Sequence, residues 1–94
     1  MIDWTVVKEE HVMEACRQYV DGEEPSRRRA HNTFLLLGGK YYPAKYIRGL
    51  AYEIATGERL NPNIDYFGGM ETVRFFKKLG YSTEYRGQII EGNR

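Results

Sequence analysis

The chain has 94 residues, a net charge of +1 and 14% aromatic side chains, which suits one domain with a modest core. It contains no run of about 18 apolar residues and no secretory signal pattern, so we expect a soluble, cytoplasmic protein without a membrane partner. The single cysteine excludes an internal disulfide, and with two histidines it forms no metal-ligand spacing, so we expect no cofactor. We predict a single domain over residues 1–94 with a polar tail from about residue 87.

Charge is distributed unevenly along the chain. Residues 1–24 carry seven acidic and two basic side chains, a net charge of −5, whereas residues 25–52 carry six basic side chains and no acidic one. Residues 53–94 carry six of each. This asymmetry favours one surface that meets an anion such as a nucleic-acid backbone. The alternative is that an acidic first helix packs beside the basic segment and neutralises it, and the sequence leaves both open.

The first third of the chain predicts one helix between two irregular segments. Residues 2–7 alternate loosely between apolar and polar, which indicates a short strand or an extended lead-in segment. Apolar residues then recur at helical spacing over residues 8–20, with Cys16 on the apolar side as a core residue. His11 lies on the same helix and is expected to be exposed. The polar residues 23–32, which include His31, predict a surface loop.

Residues 33–57 change from strand-like to helix-like periodicity. A short apolar run ends at Gly38-Gly39, which predicts a strand entering a two-residue hairpin turn. Pro43 suits the first turn of the helix that follows, and Gly57 suits its end. The apolar spacing predicts an inward stripe of Ala44, Ile47, Leu50, Ala51 and Ile54. The opposite, outward face is predicted to carry Lys45, Arg48 and Tyr52.

The remaining residues predict a loop, a helix and a strand. The loop is expected to be pinned to the core by Leu60, Ile64, Tyr66 and Phe67. A short helix over residues 70–79 follows Gly68-Gly69, with Val73, Phe76 and Leu79 facing inward. Its outward side chains are predicted to be Glu71, Arg74, Lys77 and Lys78. Residues 81–85 alternate like a strand that pairs with the earlier hairpin, and the tail is expected to be frayed or to be a short linker.

These elements predict an α+β fold, in which a small antiparallel sheet of about three strands packs against three helices. Winged-helix domains contain parts of the same kinds, although their common version has a different order of elements. The prediction is therefore of winged-helix-like parts and not of that topology.

About half of the chain, residues 39–85, resembles a known module. The pattern is a polar hairpin, a lysine-containing helix, a glycine, an aromatic-Gly-Gly helix start and a Leu-Gly-aromatic helix end. It is carried by Gly39-Lys40-Tyr41-Tyr42, Pro43, Lys45, Gly49-Leu50-Ala51, Gly57, Leu60, Phe67-Gly68-Gly69, Thr72 and Leu79-Gly80-Tyr81. This pattern resembles the N-terminal head domain of McrA-type HNH restriction endonucleases and related bacterial defence proteins. The resemblance implies an accessory module that contacts DNA or positions a neighbouring domain, and no nuclease residues are carried over.

The residues themselves favour binding over catalysis. No nucleophile stands in a pattern that would place an activating base beside it, so we predict that the chain is not an enzyme. We predict that it binds double-stranded DNA, plain or modified, mainly through phosphate contacts. The candidate contact residues are Arg27, Arg28, Arg29, Lys40, Lys45, Arg48, Tyr52, Arg74 and Lys77, with Lys78 in support. Base stacking or sugar contacts are assigned to Tyr41, Tyr42 or Tyr46, at least one of which is expected to pack in the core.

The alternative hypothesis is a protein-interaction module or a small inhibitor that docks on a defence protein. In that case the acidic first helix or the tyrosine-rich surface would bind a nuclease domain or another partner protein. Tyrosine and arginine are common at the energetic centres of protein interfaces, so the same residues would serve this function.

Overall fold

The structure is a computed structural model and describes residues 2–20, 32–62 and 64–93. Within these residues a 3₁₀ helix precedes three α-helices and four strands, which confirms the predicted α+β fold and adds one strand. The elements are the 3₁₀ helix Trp4–Val6, α1 Glu9–Gln18, β1 Thr33–Leu37, β2 Lys40–Pro43, α2 Ala44–Thr56, α3 Gly69–Lys78, β3 Ser82–Tyr85 and β4 Gln88–Ile90. Residues 23–31 of the predicted loop, with Arg27, Arg28, Arg29 and His31, lie outside the described residues. No helix in the described part of the chain is long and apolar enough to cross a membrane.

The N-terminal segment forms a 3₁₀ turn where a strand or lead-in segment was expected. The Asp3 side chain accepts a hydrogen bond from the Thr5 N–H at 3.0 Å. This local cap supports a helical turn, so the loose alternation of residues 2–7 was a misleading signal.

The strands form one antiparallel sheet in the order β2-β1-β3-β4. Leu35 in β1 lies opposite Tyr42 in β2 and Thr83 in β3, which confirms the predicted pairing of the last strand with the hairpin. Gly38 and Gly39 have φ of 60° and 77°. Two successive left-handed residues define the tight hairpin turn that the sequence predicted, and glycine adopts them without steric cost.

The polar tail is the main error in the predicted fold, because residues 88–90 form the edge strand β4. The turn before it has Arg86 and Gly87 at φ of 52° and 82°. Arginine is uncommon in the left-handed region, so Arg86-Gly87 is a weak turn signal in a sequence. The Gly92 N–H donates to the Ser82 hydroxyl at 3.0 Å, and a Cβ at Gly92 would overlap the carbonyl oxygens of Gly80 and Tyr81. The tail is therefore packed closely through residue 92.

The helices cover one face of the sheet, with α2 at the centre of the helical layer. It contacts α1, β1, β2, α3 and the 3₁₀ helix. On its predicted inward stripe, Ala44, Ile47 and Ala51 are fully buried, whereas Leu50 and Ile54 are partly buried at the edge of the core. Pro43 ends β2 and caps α2, one position before the predicted first turn, and Gly57 ends the helix as expected.

The third helix ends in a hydrogen-bonded cap. The N–H groups of Gly80 and Tyr81 donate to the carbonyls of Lys77 and Phe76, at 2.9 and 3.0 Å. This is the Schellman arrangement, in which a left-handed glycine follows the last helical turn. Val73 and Phe76 are buried as predicted, whereas Leu79 is partly buried.

The α2–α3 loop, residues 57–62 and 64–68, is anchored by only two of the four predicted side chains. Leu60 and Tyr66 are buried, with exposed fractions of 8% and 5%. Ile64 and Phe67 are 76% and 72% exposed, so their predicted role as anchors is wrong. The hydrogen bonds described below, one of them to the Phe67 carbonyl, hold the loop in place without these two side chains.

Candidate nucleic-acid interface

Arg48 lies inside the protein, although the spacing on α2 placed it on the outward face. Only 3% of its surface is exposed. Its guanidinium carbon is 3.8 Å from the centre of the Trp4 ring, 5.0 Å from that of Phe75 and 5.5 Å from that of Tyr66. An arginine over aromatic faces is stabilised by the ring quadrupoles, and the effect grows when water is excluded. Arg48 is therefore part of the core.

The polar end of Arg48 is held by groups from the α2–α3 loop and from α3. The Arg48 Nη1 donates to the Phe67 carbonyl at 3.1 Å, to the Glu71 carboxylate at 3.0 Å and to the Thr72 hydroxyl at 3.1 Å. Burial lowers the pKa of Arg48 below its ordinary value, and the hydrogen bond and charge of Glu71 oppose the shift. A guanidinium stays charged under these conditions, so Arg48 and Glu71 form an ion pair that ties α2 to α3.

Lys45 and Tyr52 also have structural contacts. The Lys45 ammonium donates to the Pro62 carbonyl at 2.6 Å, and the Tyr66 hydroxyl donates to the Lys45 carbonyl at 3.0 Å. Tyr52 is 7% exposed, and its ring centre lies 5.2 Å from that of Trp4. The predicted outward face of α2 is thus wrong for Arg48 and Tyr52, because the 3₁₀ helix and the α2–α3 loop cover that side. Lys45 is half-buried on the same side.

Within the described residues, α3 is the element that carries several exposed cationic side chains. Arg74, Lys77 and Lys78 are exposed as predicted, and within residues 2–20, 32–62 and 64–93 they form no salt bridge. Their i, i+3, i+4 spacing places them on one side of the helix. Lys77 and Lys78 also lie in the last turn, where a positive charge stabilises the helix end.

Lys40 lies toward the same end of the sheet as the C-terminal end of α3. It begins β2 and pairs with Leu37, while Ser82 at the start of β3 pairs with Leu36. Lys40 is exposed, and its ammonium lies 5.0 Å from the centre of the Tyr42 ring and 5.8 Å from that of Tyr19. The structure therefore brings Lys40 and the α3 cations toward one end of the molecule.

An open groove of about 400 Å³ runs between the N-terminal segment and α3. Its apolar lining consists of Trp4, Val7, Phe75 and Leu79. Its cationic lining consists of Lys8, Arg74 and Lys78, and the Arg48–Glu71 pair also contributes. The sequence pattern did not reveal this groove, because Trp4 and Phe75 are about 70 positions apart in the chain and only the packing of α2 brings them together.

A family model described as the ScoMcrA-like N-terminal head domain matches residues 5–85, which extends from the 3₁₀ helix to the end of β3. The chain belongs to this head-domain family. The resemblance seen over residues 39–85 is confirmed and reaches further toward the N-terminus, through α1. Neither a search of curated proteins nor a search of solved structures gave a match. Membership of this family is consistent with a module of a restriction system.

The face of the head-domain sheet that points away from the helices carries a separate set of side chains. Register places Phe34, Leu36, Tyr41 and Ile89 there, next to Glu84. The negative charge of Glu84 and a hydrogen bond to it raise the pKa of Tyr41. Of the three tyrosines considered for stacking, Tyr41 is 50% exposed but lies on this face. Tyr42 and Tyr46 pack edge-on against Tyr19, with ring centres 5.9 and 5.8 Å away.

The two remaining candidate groups of the head domain, His11 and Cys16, have structural positions. The His11 Nδ1 accepts a hydrogen bond from the Lys8 N–H at 2.9 Å and caps α1, so this side chain is half-buried and not the freely exposed residue that was expected. Cys16 is 7% exposed, as predicted for a core residue. Among the described residues, no group of three His, Cys, Asp or Glu side chains is placed to hold a metal ion.

Cys16 is expected to resist alkylation in the folded head domain. Burial raises the pKa of its thiol from 9.0 to about 11, so at pH 8 the thiolate is about 100-fold rarer than in the unfolded chain. Iodoacetamide labelling in buffer and in denaturing urea, followed by mass spectrometry, measures the difference. Because the neutral thiol is the buried form, stability should also fall as the pH rises from 9 through 11. Equal labelling rates in the two conditions would show that Cys16 is accessible.

Proposed function

We propose that the head domain is a non-catalytic, DNA-binding accessory module of a bacterial restriction or defence system, acting in the cytoplasm. It contacts the phosphates of double-stranded DNA mainly through α3. The observation that carries this proposal is the set of three exposed cations on one side of α3 without a salt bridge in the described chain, namely Arg74, Lys77 and Lys78. Unpaired cations on a rigid helix can neutralise successive phosphates and release the counterions condensed on them.

The structure changes which of the predicted residues enter the proposal. Arg48 and Tyr52 are left out, because a side chain with 3% or 7% of its surface exposed presents almost nothing to a ligand. Lys45 acts indirectly, by holding the α2–α3 loop through Pro62. Lys40 stays as a second contributor from the same end of the molecule. The contacts predicted for Arg27, Arg28 and Arg29 remain a prediction about residues that the structure does not describe.

Phosphate contact of this kind has a characteristic dependence on salt. Each phosphate contact to B-DNA contributes roughly −0.9 to the slope of log affinity against log salt concentration. Such contacts set orientation and affinity and carry little sequence information. The proposed module therefore binds duplexes of different sequence with similar affinity, and sequence or modification specificity belongs to other parts of a restriction system.

The triple variant Arg74→Ala/Lys77→Ala/Lys78→Ala is expected to bind duplex DNA at least tenfold more weakly at low salt. The slope of log affinity against log salt should become less negative by about 2.7, since three phosphate contacts are lost. Fluorescence anisotropy of a labelled duplex, titrated at several salt concentrations, measures both quantities.

The matched control is Arg17→Ala/Arg59→Ala/Arg86→Ala, which removes the same charge from exposed positions elsewhere. Arg17 and Arg59 pair with Glu14 and Glu53, so they are already occupied in the folded protein. The control should keep the wild-type salt slope. If both triple variants lose affinity equally, binding depends on net charge alone and the α3 interface is wrong.

Docking on a nuclease domain or another partner protein, including action as a small inhibitor, is the alternative function. This hypothesis requires the acidic side chains of α1 to be available to a partner, but part of their negative charge is neutralised by contacts within α1. Glu14 accepts hydrogen bonds from Arg17 at 2.6 Å and from Gln18 at 3.0 Å. Wild-type protein that fails to bind duplex DNA even at low salt, yet is captured by a purified partner nuclease, would favour this alternative.

A further inference from the structure

We propose that the groove between the 3₁₀ helix and α3 holds an unstacked nucleotide base, with the adjoining phosphates on Lys8, Arg74 and Lys78. The inference rests on the proposed function, because it starts from a nucleic acid lying along α3. It adds a second kind of contact, made by an aromatic surface, to the phosphate contacts described above.

Two aromatic rings belong to the apolar lining of the groove. The centres of Trp4 and Phe75 are 5.5 Å apart, and their planes meet at 67°. Both side chains are half-buried, so each keeps part of its surface open to solvent. The groove volume of about 400 Å³ lies within the range of small-molecule sites, which is roughly 300–1,000 Å³. A single base with its sugar fits a space of this size and apolar character.

The charges around these rings select an anionic occupant. Lys8 enters from the start of α1, while Arg74 and Lys78 enter from α3, so cations line the groove from two elements. The carboxylate of Glu71 is held by Arg48 at 3.0 Å, which offsets its negative charge. A flat apolar body flanked by negative charge matches this lining, and a nucleotide has both parts.

Arg48 supplies an independent observation at the same place. It lines the groove, is buried, and its Nε–H has no hydrogen-bond partner among the described residues. A buried donor without an acceptor is uncommon in native structures. The Nε atom is itself fully buried, so a carbonyl oxygen or ring nitrogen of a base would reach it only when the groove wall shifts.

Two of the groove cations, Arg74 and Lys78, also belong to the proposed phosphate-binding side of α3. A strand that follows α3 would therefore place the sugar next to a phosphate at the mouth of the groove. A base unstacked from the duplex, or in single-stranded DNA, can enter it, whereas a paired base cannot. Stacking of one base on an aromatic side chain contributes about 1–3 kcal/mol.

The test compares a fully paired labelled duplex with the same duplex carrying one unpaired thymine. Trp4 is the only tryptophan in the chain, so quenching of tryptophan fluorescence reports on this groove. The unpaired base is expected to raise affinity about tenfold and to quench Trp4, in keeping with the energy of one stacked base. Phe75→Leu should remove this gain and leave the affinity for the paired duplex unchanged, whereas Lys8→Gln should reduce the gain by removing a phosphate contact at the mouth of the groove.

The outcomes separate this inference from the proposed function. Equal affinity for the two duplexes, without quenching by the unpaired thymine, overturns the inference and leaves the phosphate-binding role of α3 standing. Quenching by single-stranded oligothymidine without binding of paired duplex supports the groove and overturns the proposed function. Quenching only by a peptide rich in glutamate and phenylalanine overturns the nucleotide assignment. Lys8→Gln alters an exposed side chain, so the test holds even if thermal melting shows that Phe75→Leu is unfolded.

Discussion

Replacing Arg48 with alanine is expected to lower the free energy of unfolding by about 3 kcal/mol, because the variant loses a buried cation–π contact and hydrogen bonds at once. The guanidinium stacks on Trp4 at 3.8 Å and bonds to groups from the α2–α3 loop and α3. Removing the guanidinium leaves a cavity between these elements. It also leaves the Phe67 carbonyl with one hydrogen-bond donor fewer. Two parts of the helical layer therefore lose one of the contacts that join them.

Urea unfolding followed by circular dichroism measures the change, and thermal melting should show a drop of about 12–20 °C for a domain of this size. Arg48→Lys should fall between wild type and alanine, since lysine keeps the charge but lacks the planar, forked group. The matched control is Arg59→Ala, because Arg59 also pairs with a glutamate, at 3.5 Å, but its side chain is 84% exposed. It should cost no more than about 0.5 kcal/mol. Equal effects of the two alanine variants would show that the buried arginine is not a main source of stability.

Replacing Gly49 with alanine is expected to destabilise the protein by about 2 kcal/mol, although alanine is favoured over glycine by about 1 kcal/mol inside a helix. A Cβ at Gly49 would overlap the Tyr66 hydroxyl. Tyr66 cannot easily yield, because it is 5% exposed, donates to the Lys45 carbonyl and packs on Trp4 with ring centres 5.2 Å apart. The sign of the change in unfolding free energy thus reports whether the Tyr66 hydroxyl lies against Gly49.

A double-mutant cycle with Tyr66→Phe isolates the overlap. Tyr66→Phe alone loses one hydrogen bond, worth about 1 kcal/mol. The double variant Gly49→Ala/Tyr66→Phe should lose less unfolding free energy than the two single variants lose together, because the hydroxyl oxygen that causes the overlap is absent. If Gly49→Ala raises the unfolding midpoint in urea, helix propensity dominates and the close approach of Tyr66 to α2 is wrong.

Three of the predicted elements depended on signals that act over a few residues. The Gly38-Gly39 turn, the apolar spacing of α1 and the Gly-capped end of α3 each have a local physical cause, and each was predicted within about two residues of its observed bounds. The strand β4 was missed for an equally local reason. Its turn uses Arg86 in the left-handed region, and arginine is a weak signal for that conformation.

The candidate interface could be predicted only in part. The outward cations of α3 follow from its periodicity, because one side of that helix packs on the sheet and the other meets solvent. The same reasoning failed for α2, which is covered on more than one side. A periodic pattern assumes one buried face, and it treats an arginine as exposed unless a partner is known.

By itself, the sequence determined the kinds of elements, most of their ends and the acid-free basic segment, since these depend on neighbouring residues. Only the tertiary structure decided that Arg48 is buried, that Lys45 holds a loop and that Trp4 and Phe75 line one groove. The partners of Arg48 lie 19 to 24 positions further along the chain. A charged side chain is buried when such distant groups supply acceptors and aromatic faces, and no local pattern contains that information.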